Sequence, residues 1–119
     1  MMNDYGKQLL VDLYGCDFKL LNDKNEIKKM IHFICDELDT NIVKEAYHEF
    51  EPIGITGFAI ISTSHIAIHT WPEFNYAAID IFSCKEGLPE AIAYKSKEFL
   101  KADSCKINKM TRQFVKKRS

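Results

Sequence analysis

Residues 55–84 read ITGFAIISTSHIAIHTWPEFNYAAIDIFSC, and the fold turns on how this stretch divides. Residues 55–62 form an apolar, branched run, and 64–70 form a second. Side chains of this kind in short runs favour strands. Trp71-Pro72-Glu73-Phe74-Asn75 interrupts them as a loop, because Pro72 has no N–H to give to a ladder. Residues 77–84 make a third strand. Strands joined this closely pair antiparallel, since a parallel partner needs a crossover of about a dozen residues or more.

Upstream, Leu9, Val11 and Leu13 alternate with Leu10, Asp12 and Tyr14 before Gly15-Cys16-Asp17, which reads as a strand ending in a turn. Asp23 with Glu26 resembles a capping box. Ile27, Met30, Ile31, Ile34 and Leu38 then fall at helical spacing, so the pattern predicts an amphipathic helix over 24–38, ended by Asp39-Thr40-Asn41. Residues 42–50 alternate loosely as a strand, and Pro52 and Gly54 then punctuate the chain. Downstream, Lys85-Glu86-Gly87 turns the chain. Pro89 suits the first turn of a helix carrying Leu88, Ile92 and Phe99, and residues 104–112 form a last strand. The strands and helices placed in this way predict an α+β two-layer sandwich, with two helices on one face of an antiparallel sheet. The other face is left bare, and a second copy of the sheet would cover it. A homodimer is therefore expected.

The length of 119 residues suits a single domain, 1–119, and the 46% hydrophobic content excludes wholesale disorder. No apolar run approaches the roughly 20 residues that cross a bilayer. Met1 to Lys7 lacks the basic and apolar regions of a secretory signal, so no membrane partner and a cytoplasmic location are expected. Sixteen basic against seventeen acidic residues nearly balance, but the basic ones gather at the end, in Lys116-Lys117-Arg118. This tail reads as a solvated terminus, with no nucleic acid expected. Cys16, Cys35, Cys84 and Cys105 form no C-x-x-C pair, which favours reduced thiols over disulfides or zinc.

Chemistry-bearing side chains concentrate between Thr56 and Cys84. His65 and His69 stand four apart, a metal-ligand spacing on a helix, but their neighbours favour a strand and no third ligand is suitably placed. No metal is expected. Ser64 lies where a turn would expose it. His69 has the chemistry of an acid or base, and Cys84 that of a proton donor or nucleophile. The bland reading makes them a turn serine, a sheet histidine and a small core residue. Parity is an obstacle to the first reading. Ser64 and His69 are five apart, so on a flat strand they face opposite sides unless Ser64 belongs to the turn or a bulge intervenes.

Ser64-His65-Ile66-Ala67-Ile68-His69-Thr70-Trp71-Pro72-Glu73, followed by Tyr76-Ala77-Ala78-Ile79-Asp80-Ile81-Phe82-Ser83-Cys84, resembles the signature of the prokaryotic S-adenosylmethionine decarboxylase proenzymes. The resemblance extends upstream through Phe50, Pro52, Gly54 and Thr56-Gly57 to Leu13-Tyr14-Gly15-Cys16-Asp17, and fades after about residue 100. It implies a pyruvoyl-dependent decarboxylase serving polyamine (spermidine) biosynthesis. Such a chain cuts itself between Thr63 and Ser64, giving a β chain, 1–63, and an α chain, 64–119, headed by a pyruvoyl group made from Ser64. That group captures the substrate amine as a Schiff base and acts as the electron sink.

The resemblance also implies residue roles. His69 assists processing, as does Thr56, which stands where the family usually has serine. Cys84 protonates the carbanion left when carbon dioxide departs. Phe50 stacks on adenine, and Glu73 binds the ribose hydroxyls. Thr63 departs from the family's usual glutamate, which is associated with the amino-acid end of the substrate. Such a charge-assisted contact is typically worth about 1.5–3 kcal/mol. The departure leaves a basic amino acid, ornithine or arginine, as an alternative substrate. A non-catalytic dimerising regulator is a further alternative.

Overall fold

The computed structural model describes residues 5–62, 64–84 and 88–115. The expected turn at Lys85-Glu86-Gly87, the tail at Lys116-Lys117-Arg118, and Thr63 lie outside the described residues.

Six strands form one antiparallel sheet: β1 (Tyr5–Tyr14), β2 (Ile42–Glu49), β3 (Ile55–Ile61), β4 (His65–Trp71), β5 (Tyr76–Ser83) and β6 (Ser104–Gln113), in the spatial order β2-β3-β4-β5-β1-β6. The helices are α1 (Phe18–Leu21), α2 (Lys24–Glu37) and α3 (Ala91–Phe99), and a 3-10 turn spans Pro72–Phe74. The predicted order and the two-layer arrangement hold. Two short elements are added: α1, and the 3-10 turn within the expected loop.

Local chemistry explains the boundaries. Asp17 caps α1 by accepting from the Lys19 and Leu20 N–H groups, and Asp23 caps α2 through those of Asn25 and Glu26. Each satisfies donors that a first helical turn leaves unpaired. Glu26 pairs with Lys29 at 3.3 Å, on its own helix.

Strand alternation sorts the side chains between two faces. Leu9, Val11 and Leu13 of β1, Ile66 and Ile68 of β4, and Ile79 and Ile81 of β5 point to the helices, and all are buried. They pack with Ile27, Met30, Ile31 and Ile34 of α2 and with Ile92 of α3 in one core. Gly57 keeps β3 close to this layer. A Cβ there would stand 2.9 Å from both Ile31 Cδ1 and Tyr47 Cε1, too near for either without movement.

Among the described residues, no helix covers the opposite face. It carries His65, Ala67, His69 and Trp71 from β4, Thr56, Phe58 and Ile60 from β3, and Asp80 and Phe82 from β5. Phe58 and Ile60 are 40% and 44% exposed there, unusual for side chains of their size in mid-sheet. Among the described residues, no helix is long and apolar enough to cross a membrane.

Candidate active site

The reversal between β3 and β4 is closed by Ile61 and Ser64. The Ile61 N–H donates to the Ser64 carbonyl (3.0 Å) and the Ser64 N–H to the Ile61 carbonyl (3.3 Å). Ser64 therefore belongs to the turn, which frees its side chain from the strand's alternation. β5 runs antiparallel to β4 and ends at this level, and Cys84 follows it directly. The Ser64 Oγ lies 3.6 Å from the Cys84 Sγ, within hydrogen-bonding range for sulfur.

The other named residues gather at the far end of the same face. Thr56 and His69 are direct cross-strand partners, and Thr56 Oγ1 bonds His69 Nδ1 at 3.0 Å. Beside them opens a cleft of about 470 Å³, lined by Phe50, Gly54, Thr56, His69, Trp71 and Glu73 among others. Phe50 presents its ring 4.6 Å from that of His48, edge to face. The 3-10 turn carries Glu73 past the end of β4, where its carboxylate is exposed. Trp71 lies between His69 (6.1 Å between ring centroids) and Tyr76 (5.5 Å), which lengthens the aromatic wall.

Two clusters thus share one face, Ser64 with Cys84 and Thr56 with His69, Phe50 and Glu73. They are separated by the length of β4. Five residues at 3.3–3.4 Å each put Ser64 and His69 roughly 17 Å apart along the strand. Distance rather than parity now separates them within one copy.

Sequence reading passed over Trp71 and Gly54 as site residues. Trp71 stood in the resembling stretch without a role, and its signal was its odd position beside His69, Ala67 and His65. His65 meets neither cluster. It lies between the rings of Phe58 and Phe82, at 5.6 and 6.1 Å, and 3.7 Å from Asp80, whose other oxygen accepts from Gln8 at 2.8 Å. Among the described residues, no three His, Cys, Asp or Glu side chains converge as a metal site would require.

The four cysteines differ in setting, and none is in a disulfide. Burial pushes the Cys16 thiol up to about 11, outweighing the backbone hydrogen bonds that pull it down. Cys16 and Cys35 lie in the core, whereas Cys84 is partly exposed beside Ser64. Of the buried pair, Cys16 is thus an unreactive thiol at neutral pH.

Comparison with known proteins identifies the family. The family model described as S-adenosylmethionine decarboxylase matches residues 7–113, past the point where the motif resemblance fades. An S-adenosylmethionine decarboxylase proenzyme of Acetivibrio thermocellus is 45% identical over 85 residues, covering 71% of this chain and 68% of that protein. One of Methanococcus vannielii is 36% identical over 115 residues, covering 96% and 94%. The crystal structure of the adenosylmethionine decarboxylase of Aquifex aeolicus superposes with a TM-score of 0.80 at 26% identity, covering 98% of each chain. The chain belongs to the S-adenosylmethionine decarboxylase family.

Proposed function

We propose that this chain is a self-processing decarboxylase of S-adenosylmethionine whose catalytic carbonyl is a pyruvoyl group made from Ser64. The observation that carries the reading is the Ser64–Cys84 pair at 3.6 Å, with the serine in a tight turn. The proposed chemistry needs a hydroxyl beside a main-chain carbonyl and a proton donor at the same place. Both are present.

Processing uses the chain's own atoms. Ser64 Oγ attacks the Thr63 carbonyl carbon, and the peptide C–N bond gives way to an ester. Loss of the Ser64 Cα proton then expels the Thr63 carboxylate, and water releases the nitrogen as ammonia. The carbonyl left on residue 64 withdraws electrons from a bound substrate amine, which ordinary side chains cannot do. In this reading the Cys84 thiol returns a proton to the substrate carbon once carbon dioxide has left.

The cleft at the other end suits a nucleoside. The Phe50 ring offers a flat apolar face to a base, and Glu73 can accept hydrogen bonds from two hydroxyls. His69, held by Thr56, supplies an acid or base. These groups reach Ser64 when two copies pair through their bare faces about a two-fold axis. Each His69 end then meets the partner's Ser64 end, and each dimer holds two equivalent sites. The same pairing removes Phe58, Ile60, Trp71 and Met110 from water, and a patch of this kind on a sheet face is a mark of an interface.

Carbon dioxide release from the processed protein tests the substrate, with S-adenosylmethionine, ornithine, arginine and lysine supplied side by side. Release from S-adenosylmethionine alone is expected. Release from an amino acid alone would contradict the proposal.

A further inference from the structure

The cleft is tethered to a part of the chain that the reaction chemistry does not use. Helix α1 ends at Leu21, and the chain at this end reaches β4 and the connection that leads into β3. Thr70 Oγ1, buried in β4, donates to the Leu21 carbonyl (2.8 Å) and accepts from the Ile55 N–H (2.9 Å). One residue further on, the Asn22 side-chain oxygen accepts from the Gly54 N–H at 3.0 Å. The Gly54 carbonyl in turn accepts from the Phe50 N–H at 2.8 Å.

Gly54 links the two bonds. Its φ of +109° is a conformation that other residues rarely adopt, and a Cβ there would stand 3.3 Å from the Thr70 carbonyl oxygen. The segment from Phe50 to Gly54 is a connection between β2 and β3. Such a connection explores several conformations unless something outside it holds it. Asn22 supplies that hold, yet it does not line the cleft. Any effect it has on substrate must pass through the loop.

We propose that Asn22 is a positioning residue for substrate binding. Its side-chain oxygen fixes Gly54, and the Gly54–Phe50 hydrogen bond passes that constraint to the Phe50 ring that meets the nucleoside base. The proposal rests on the reading of Phe50 as the base-stacking residue. Holding the ring before substrate arrives lowers the ordering cost of binding. It does nothing for the chemical step, which occurs at Ser64 and Cys84.

Steady-state kinetics with S-adenosylmethionine on processed protein test this. Asn22→Ala is expected to raise KM about three- to tenfold, the size of one lost hydrogen bond, with kcat and self-cleavage within about twofold of wild type. Asn22→Asp keeps the acceptor oxygen and is expected to restore KM. In a Phe50→Ala background, Asn22→Ala should add no further rise. If Asn22→Ala does not fold, Asn22→Gln, which displaces the oxygen by one methylene, is read in the same way. An unchanged KM, or an equal further rise in the Phe50→Ala background, would overturn the proposal. So would a fall in kcat matching the rise in KM. Phe50→Ala leaving KM unchanged would instead remove the reading of Phe50 on which the proposal depends.

Discussion

Thr56 and His69 are hydrogen-bonded at 3.0 Å across adjacent strands, through the ring nitrogen Nδ1. The bond orients the imidazole and presents Nε2 as its second working atom. A serine at position 56 would offer His69 the same hydroxyl.

Removing that hydroxyl should slow processing. Thr56→Val keeps the shape of the side chain and loses the bond, and self-cleavage is expected to slow about tenfold or more. Thr56→Ser should stay within about threefold of wild type. Time-resolved gel analysis of freshly made protein checks both, and equal rates for the Val and Ser variants would contradict the role.

The separation of His69 from Ser64 along β4 gives a test of the composite site. Ser64→Ala and His69→Ala chains should each fail to process alone, or do so very slowly. Mixed dimers carry one site with an intact Ser64 from one copy and an intact His69 from the other. Co-expression should therefore restore cleavage of the His69→Ala chain. No restoration in dimers shown by mass to be mixed would place the site within one copy.

Cys84 should matter after processing rather than for it. Cys84→Ala is expected to yield cleaved chains whose decarboxylation falls by about a hundredfold or more, the usual scale for losing a proton donor. Unchanged turnover would reject the donor role.

Much of the fold could be read directly. The alternation of Leu9, Val11 and Leu13, the spacing from Ile27 to Ile34, and the break at Pro72 each carry a local physical signal. Strand order carried none. β1 lies between β5 and β6, pairing Val11 with Ile79 on one side and Ile107 on the other. Such pairings between distant segments leave no trace in periodicity. Helix α1 was overlooked because it is four residues long, although the Asp17 that caps it was visible. In the site, the stretch from Ser64 to Cys84 identified the chemistry. Spacing alone posed Ser64 and His69 as a problem of parity, and only the length of β4 shows the two clusters standing apart. The tie from Asn22 to Gly54 crosses 32 positions and has no sequence signal.

The buried thiol predicts alkaline behaviour. Burial holds the Cys16 proton to about 11, against an ordinary 9.0, so the folded chain keeps a proton that the unfolded chain releases. Stability from this group is intact below about pH 9 and falls as pH rises toward 11. Tyr76, raised to about 12 by burial and by its hydrogen bond to Asp12, acts in the same direction at higher pH. The thermal midpoint should drop between pH 9 and 11, and Cys16→Ala should flatten that slope. An identical slope in the variant would contradict the assignment.

The central claim, that Ser64 is consumed to make the catalytic group, is tested most directly by intact mass. Purified wild-type protein should give two fragments, residues 1–63 and 64–119, the second lacking a free amino terminus. Ser64→Ala should give one uncut chain. A single uncut wild-type chain, or a Ser64→Ala chain still cut before residue 64, would contradict the account.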